Sequence, residues 1–325
     1  MRLQIPTLAL ALFAATTSAN NLQTPSHRGL KAESLDFLSY KCKCKSKIRK
    51  CLFIHGELHS KHHDDLQDKS DYFGDMKHHA PCCSTIKYVS LDTETVGWTD
   101  EDLQETVCKH ALSMSDKSDH KKKVIKDTIL VTYSMGAPIL AGAVANKKCK
   151  IEKKSTSWVS MSAPMLGSMA VDTALNVCSN DKPRTFQAAM LLLGKCPVKA
   201  GLKSLAFMGG HYSSKELNTA YEDAQDVYRK YVTAAMCSNS FEGLISGDQI
   251  KYAGLATFAG HQSKKNDGFV TFESCRGGLD AEKFHDDPTS AFYVSKCNHA
   301  DTKFQHMDDL FKKSKKPKRW FECAL

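Results

Sequence analysis

Six short apolar runs alternate with longer stretches of helical periodicity, and this alternation limits the possible folds more than any other feature of the chain. The runs are Cys51–Ile54, Ile86–Leu91, Thr128–Tyr133, Thr156–Met161, Tyr252–Phe258 and Ala291–Val294. Helical stretches lie between them, at about 100–115, 136–147 and 167–178. Strands that alternate with helices imply an α/β architecture, with a mostly parallel sheet flanked by helices. At 325 residues the chain has room for one large core with insertions or for two modest domains. The longest interruption of the pattern is 180–250. Within it, Ser213–Glu216 reads as a capping box, and Leu217, Tyr221, Ala224, Tyr228 and Tyr231 follow at helical spacing. One amphipathic helix packed on the core would explain that spacing. Long inserts in compact domains often carry function, so a helical cap or lid over a pocket is the expectation for 180–250.

The amino terminus points to export. Met1-Arg2 precedes an apolar run from Leu3 to Ala15, and Thr17-Ser18-Ala19 supplies small residues at a cleavage position. This is the layout of a signal peptide spanning 1–19, and the run is shorter than a membrane-spanning helix requires. Residues 20–45 are polar and aperiodic and read as a flexible leader, which leaves 46–325 as the folded domain. Thirteen cysteines fit a secreted, extracellular protein in which most are oxidised to disulfides. The count is odd, so at least one thiol is free or pairs with another chain. A zinc site at Cys42/Cys44 or Cys82/Cys83 is the weaker reading, because neither pair belongs to a double CxxC pattern.

The formal net charge is +9, and cleavage of the signal removes only Arg2. Lysine runs at 121–123, 147–154 and 312–319 read as solvated surface. They would favour peripheral contact with anionic surfaces, a membrane or an acidic polysaccharide. No aromatic interleaving or nucleic-acid motif accompanies them, so no nucleic-acid partner is expected.

The third strand runs directly into a turn and a helix. Val131-Thr132-Tyr133-Ser134-Met135-Gly136 ends it, and Ala137, Ile139, Leu140 and Ala141 continue the helix. This is the setting of a nucleophile elbow, in which a sharp strand–turn–helix lifts a serine hydroxyl above the sheet. Strand and helix crowd at the turn, so the residues two before and two after the serine must be small. Gly136 satisfies this. Thr132 stands where the motif has glycine, and its bulk predicts a slightly splayed turn.

A serine hydroxyl needs a histidine base, and the histidine needs a carboxylate to hold its tautomer. In this strand–turn–helix setting the chain order is serine, acid, histidine. Asp267 lies after a late apolar run, in Asn266-Asp267-Gly268, which is also ordinary turn chemistry. His299 follows the last strand, with His306 and His285 as rivals.

These segments resemble bacterial triacylglycerol lipases of the α/β-hydrolase fold. Asn266–Val270 is similar to their Asn-Asp-Gly-Leu-Val, and Asn298-His299-Ala300-Asp301 to their Asn/Asp-His-Leu-Asp. Ser162–Ser168 looks like their Gly-Ala-Pro-His-x-Gly-Ser loop, and Phe53–Gly56 like their Val-His-Gly. The resemblance implies an ester hydrolase acting on a small-molecule or lipid ester, with Ser134 as nucleophile, Asp267 as acid and His299 as base. It also implies an oxyanion hole built from the backbone N–H of Met135 and that of Glu57 or Leu58. Glu57 departs from the family, which has an apolar or small residue there.

No cofactor is expected. In some of these lipases the aspartate two after the histidine binds calcium, and Asp301 holds that position, but further oxygen ligands are not evident; an ordinary helix-capping role is the expectation. The cluster His59, His62, His63, Asp64 and Asp65 matches no ligand spacing and reads as a solvated loop. Two alternatives stay open: an acyltransferase or thioesterase with the same three residues, and a catalytically inactive secreted binding module, which Thr132 and Glu57 keep alive.

Overall fold

The computed structural model describes residues 42–179 and 196–325. The signal peptide, all but the last few residues of the leader, and 180–195 of the expected cap lie outside the described residues. Nine strands are present among the described residues: β1 (Arg49–Ile54), β2 (His63–Gln67), β3 (Cys83–Ser90), β4 (Val124–Ile125), β5 (Thr128–Tyr133), β6 (Lys150–Ile151), β7 (Ser157–Met161), β8 (Val232–Ser238) and β9 (Phe292–Ser295). Seven of them form one sheet in the order β2-β3-β1-β5-β7-β8-β9, while β4 and β6 pair separately. Only β2 runs antiparallel, to β3; every other pairing in the large sheet is parallel.

Among the described residues, seven helices of five residues or more accompany the sheet: α1 (Glu101–Ser113), α2 (Gly136–Ala145), α3 (Met169–Ser179), α4 (Lys215–Tyr231), α5 (Gly247–Phe258), α6 (Phe272–Arg276) and α7 (Pro317–Cys323). The central strands are apolar on both faces because both are covered. In β1, Leu52 and Ile54 join one core with α1, α2 and α4, while Cys51 and Phe53 join a second core with Phe73, Trp320 and Phe321. β5 divides in the same way, with Leu130 on the first face and Ile129 and Val131 on the second. This is the period-two alternation of a strand used on both sides.

Six disulfides reinforce these layers: Cys42–Cys323, Cys44–Cys82, Cys51–Cys83, Cys108–Cys149, Cys178–Cys196 and Cys237–Cys275. Cys297 is the one free thiol, and it is buried. The pairs considered for zinc are thus all in disulfides. No helix among the described residues is long and apolar enough to cross a membrane.

Two details differ from the sequence reading, the cap of α4 and the stretch 252–258. Of 180–250, the described residues 196–250 contribute to the layers of the fold itself. α4 buries Tyr221, Ala224 and Tyr228 against the first core, with Tyr221 beside Trp98 and Tyr228 edge-on to Trp158. β8 then enters the sheet between β7 and β9. The cap of α4 is Ser214 rather than Ser213, its hydroxyl accepting from Leu217 N at 3.2 Å. Finally, 252–258 is the second half of α5 and not a strand. No residue of α5 is buried, and its short apolar run carries no periodicity that separates helix from strand.

Candidate active site

Ser134 follows the last residue of β5 and precedes α2. Its φ of +49° lies in the left-handed region, which a non-glycine residue occupies only where the surrounding fold imposes it. Its amide continues the sheet ladder by donating to Met161 O at 2.9 Å. The turn is tight because α2 passes directly over the end of β1: a Cβ on Gly136 would lie 2.6 Å from Ile54 O and 2.7 Å from His55 O. Those are backbone atoms, which cannot yield.

Thr132 does not splay the turn. It stays in register with Ile54 and Ser160, and Tyr133 with Met161. Its Oγ1 accepts from Trp158 Nε1 at 2.8 Å. The threonine thus supplies the partner that a buried indole N–H requires, a reason for the departure that sequence spacing does not reveal.

His299 Nε2 lies 2.9 Å from Ser134 Oγ, and His299 Nδ1 lies 2.7 Å from Asp267 Oδ2. All three residues are buried. The carboxylate can only accept, so Nδ1 carries the proton and Nε2 is left to accept from the serine hydroxyl. The other oxygen, Asp267 Oδ1, accepts from Phe269 N at 2.9 Å and Val270 N at 2.7 Å. Burial pushes the Asp267 carboxyl up, but the electrostatic attraction and hydrogen bond of the His299 Nδ1–H and these two amides outweigh it and hold the group below its ordinary range.

The loops that carry these residues are fastened from several sides. Asn298 Oδ1 accepts from Asp301 N at 3.1 Å, and Asp301 Oδ2 accepts from Asn298 N at 3.0 Å. The two side chains therefore bracket His299. Asp301 Oδ2 also accepts from Leu244 N at 2.8 Å, so Asp301 ties two loops together instead of capping its own helical turn. Burial pushes its carboxyl up to about 6. Tyr133 Oη and Thr302 Oγ1 each donate to His299 O at 2.9 Å. The rings of Tyr133 and Phe269 lie 5.1 Å from the His299 ring. Ser274 Oγ donates to Gly167 O at 2.8 Å and accepts from Leu166 N at 3.0 Å, which joins the 162–168 loop to α6, the helix after the acid loop.

The loop after β1 lies against the serine. A Cβ on Gly56 would meet Ser134 Cβ at 2.7 Å and Tyr72 Oη at 2.9 Å. His55 fixes this loop: its Nδ1 donates to Gly56 O at 2.8 Å and its Nε2 accepts from Leu91 N at 3.0 Å. Burial, opposed by the Gly56 carbonyl, drops its pKa to about 3, so the ring is neutral. Thr93 Oγ1 donates to Gly56 O at 2.7 Å and Tyr72 Oη to Glu57 O at 2.9 Å. Leu58 follows with φ +68° and a half-exposed side chain. The Glu57 side chain is buried rather than turned to solvent. Its charge adds to burial in raising the pKa of Tyr72.

The other candidates lie elsewhere. His306 Nε2 bonds Asp248 Oδ2 at 3.3 Å, and His285 pairs through its backbone with β9. Within the polar cluster, His59 bonds Ser90 Oγ at 3.1 Å and His62 bonds Asp64 at 3.1 Å. Tyr252 escaped sequence reasoning. It sits on α5 with its ring 6.0 Å from His299, and a Cβ on Gly268 would strike its carbonyl at 2.7 Å. The element over this side of the site is thus α5, whose run looked like a strand.

The sheet order, the lone antiparallel strand at one edge and the left-handed serine between β5 and α2 define an α/β-hydrolase fold. No family model matches the sequence, and no curated protein matches it. Among solved structures, the mature lipase BlEst2 of Bacillus licheniformis is similar, with 17% identity, a TM-score of 0.49 and coverage of 79% of this chain and 87% of that one. The lipase of Staphylococcus hyicus is 9% identical with a TM-score of 0.42, covering 86% and 94%. Lipase 1 of Pelosinus fermentans is 12% identical with a TM-score of 0.39, covering 85% and 97%.

Proposed function

We propose that the protein is a secreted serine hydrolase that cleaves carboxylic esters through an acyl-enzyme. The observation that carries this reading is the relay from Ser134 through His299 to Asp267, at 2.9 and 2.7 Å, built on a serine of left-handed backbone. In the proposed reaction His299 Nε2 takes the Ser134 proton as Oγ attacks the ester carbonyl. The imidazolium then protonates the departing alcohol. Water enters, gives its proton to the same nitrogen and attacks the acyl carbonyl, and Nε2 returns the proton to Ser134 Oγ as the carboxylic acid departs. Asp267 holds the ring orientation and stabilises its positive charge without taking the proton itself.

The oxyanion that forms needs two fixed donors. We assign the N–H of Met135, at the start of α2, and the N–H of Glu57 or Leu58. The hold on the Gly56 carbonyl by His55 and Thr93, and on the Glu57 carbonyl by Tyr72, supports the second assignment.

Ile245 and Ile250, at and within the start of α5, are exposed, as are Met307, Leu310 and Phe311. The His306–Asp248 contact brings these two segments together. An apolar surface beside the element that flanks His299 supports a lipid or other apolar ester as the substrate class. Six disulfides and the signal-like first 19 residues support secretion.

The test is covalent labelling with a fluorophosphonate. The expected result is one adduct, on the peptide that contains Ser134, with labelling lost in Ser134→Ala and strongly slowed in His299→Ala. A folded protein that takes no adduct on Ser134 contradicts the reading.

A further inference from the structure

At the end of the sheet opposite Ser134, the first residues of β1 and β7, Thr233 of β8 and the residues just before β5 and β7 line an open cleft of about 420 Å³. Its fixed element is Arg49, which is 7% exposed. That guanidinium donates to Ser155 O at 2.6 Å, to Ser157 Oγ at 2.9 Å and to Lys47 O at 3.1 Å. Lys47, Lys117, Lys126, Lys153 and Lys154 complete the cationic lining. Two carboxylates face them. Asp127 sits 2.9 Å from Lys117 and 3.4 Å from Lys47, and Glu152 sits 3.8 Å from Lys126. Six cations against two carboxylates leave a strongly positive cleft.

The fold widens this patch with residues distant in sequence. β4 and β6 pair Val124 with Lys150, and Lys150 N donates to Lys123 O at 2.8 Å. The lysine runs 121–123 and 147–154 thereby lie side by side, with Lys121, Lys122, Lys147 and Lys150 exposed. Concentrating like charge in this way opposes compaction, and a multivalent anion would relieve it.

The lining identifies the kind of anion. It consists of Ser, Thr, Lys, Arg, Asp and Glu side chains. A membrane-docking surface gains strength from apolar anchors beside its basic face, and a single-strand-binding groove from aromatic stacking; this cleft offers neither. The positive surface also runs beyond the cleft, farther than a single phosphate would use. The disulfides fit an oxidising, extracellular setting, where sulfated polysaccharides are extended polyanions. We propose that this face binds an extended sulfated polysaccharide, which tethers the protein while leaving the opposite, Ser134 end of the sheet free. The inference does not depend on the esterase reading.

Binding of a heparin dodecasaccharide, followed by calorimetry over a series of salt concentrations, tests it. Wild type is expected to bind with an affinity that falls steeply as salt rises. The triple variant Lys117→Gln/Lys153→Gln/Lys154→Gln is expected to bind at least tenfold more weakly, with a salt slope smaller by about three. A control of equal net charge, Lys109→Gln/Lys215→Gln/Lys230→Gln, is expected to change affinity less than twofold. Hydrolysis of a soluble p-nitrophenyl ester, measured on all three proteins, is expected to stay the same, which separates this site from the Ser134 chemistry. Equal weakening in the two triple variants would overturn the proposal in favour of net charge alone. Equally tight binding to phosphatidylserine vesicles or to single-stranded DNA, lost with the same three lysines, would overturn it in favour of those partners.

Discussion

A Cβ placed on Gly56 would lie 2.7 Å from the Cβ of Ser134 and 3.2 Å from its Oγ. Real side chains do not approach that closely, so the loop after β1 sits beside the serine only because residue 56 has no side chain. Gly56→Ala must displace either the loop or Ser134. Displacement of a proposed oxyanion donor by about 1 Å costs on the order of 100-fold in rate. The expectation is a fall of that size in kcat, a smaller change in KM, and retained near-ultraviolet circular dichroism. An unchanged kcat would contradict the placement of the oxyanion loop.

Thr132 and Trp158 supply a stability prediction. Thr132→Val keeps the shape of the side chain but removes the acceptor of the buried Trp158 N–H. An orphaned buried donor costs about 1–3 kcal/mol. Denaturant unfolding of the two proteins should differ by that amount at unchanged m-value. A difference near zero would mean the indole finds another acceptor.

The buried neutral His55 makes stability depend on pH. Its folded pKa of about 3 lies below the ordinary 6.5, so the unfolded chain binds the extra proton. The contribution is fully present above 6.5 and is lost as pH falls toward 3, by at most about 5 kcal/mol. Asp301 works the other way. Its folded pKa of about 6 lies above the ordinary 3.8, so it favours the folded state as pH falls through that window. The two therefore partly cancel in the wild type. His55→Gln removes one of them, and its stability relative to wild type should improve by about 3 kcal/mol between pH 7.5 and pH 4.5. Parallel pH profiles of the two proteins would show that His55 does not stay neutral.

The sequence pointed to the residues of the candidate site more sharply than to the individual elements around it. Ser134, Asp267 and His299 stood out as candidates because each sits in a short motif, and setting separated His299, directly after the last strand, from His285 in the loop before that strand and His306 in the polar stretch beyond it. The α/β class was legible from the apolar runs of β1, β5 and β7, which are buried on both faces. β8 was missed because Val232–Ser238 follows α4 without a break and carries two alanines where branched residues would mark a strand. β2 was missed because His63–Gln67 is a polar edge strand with little to bury. Tyr252–Phe258 was mistaken for a strand because a short apolar run has no readable period. The partners of Thr132 and Asp301 are set by tertiary contacts, which spacing along the chain does not carry.

The central claim is that Ser134 is the nucleophile of an ester hydrolase, and the most direct measurement is hydrolysis of a chain-length series of p-nitrophenyl esters by the oxidised protein beside Ser134→Ala. The account predicts turnover by the wild type, a loss of about a thousandfold or more in the variant, and identical circular dichroism for the two. Equal rates in the two folded proteins, or no turnover of any ester by the wild type, would contradict it.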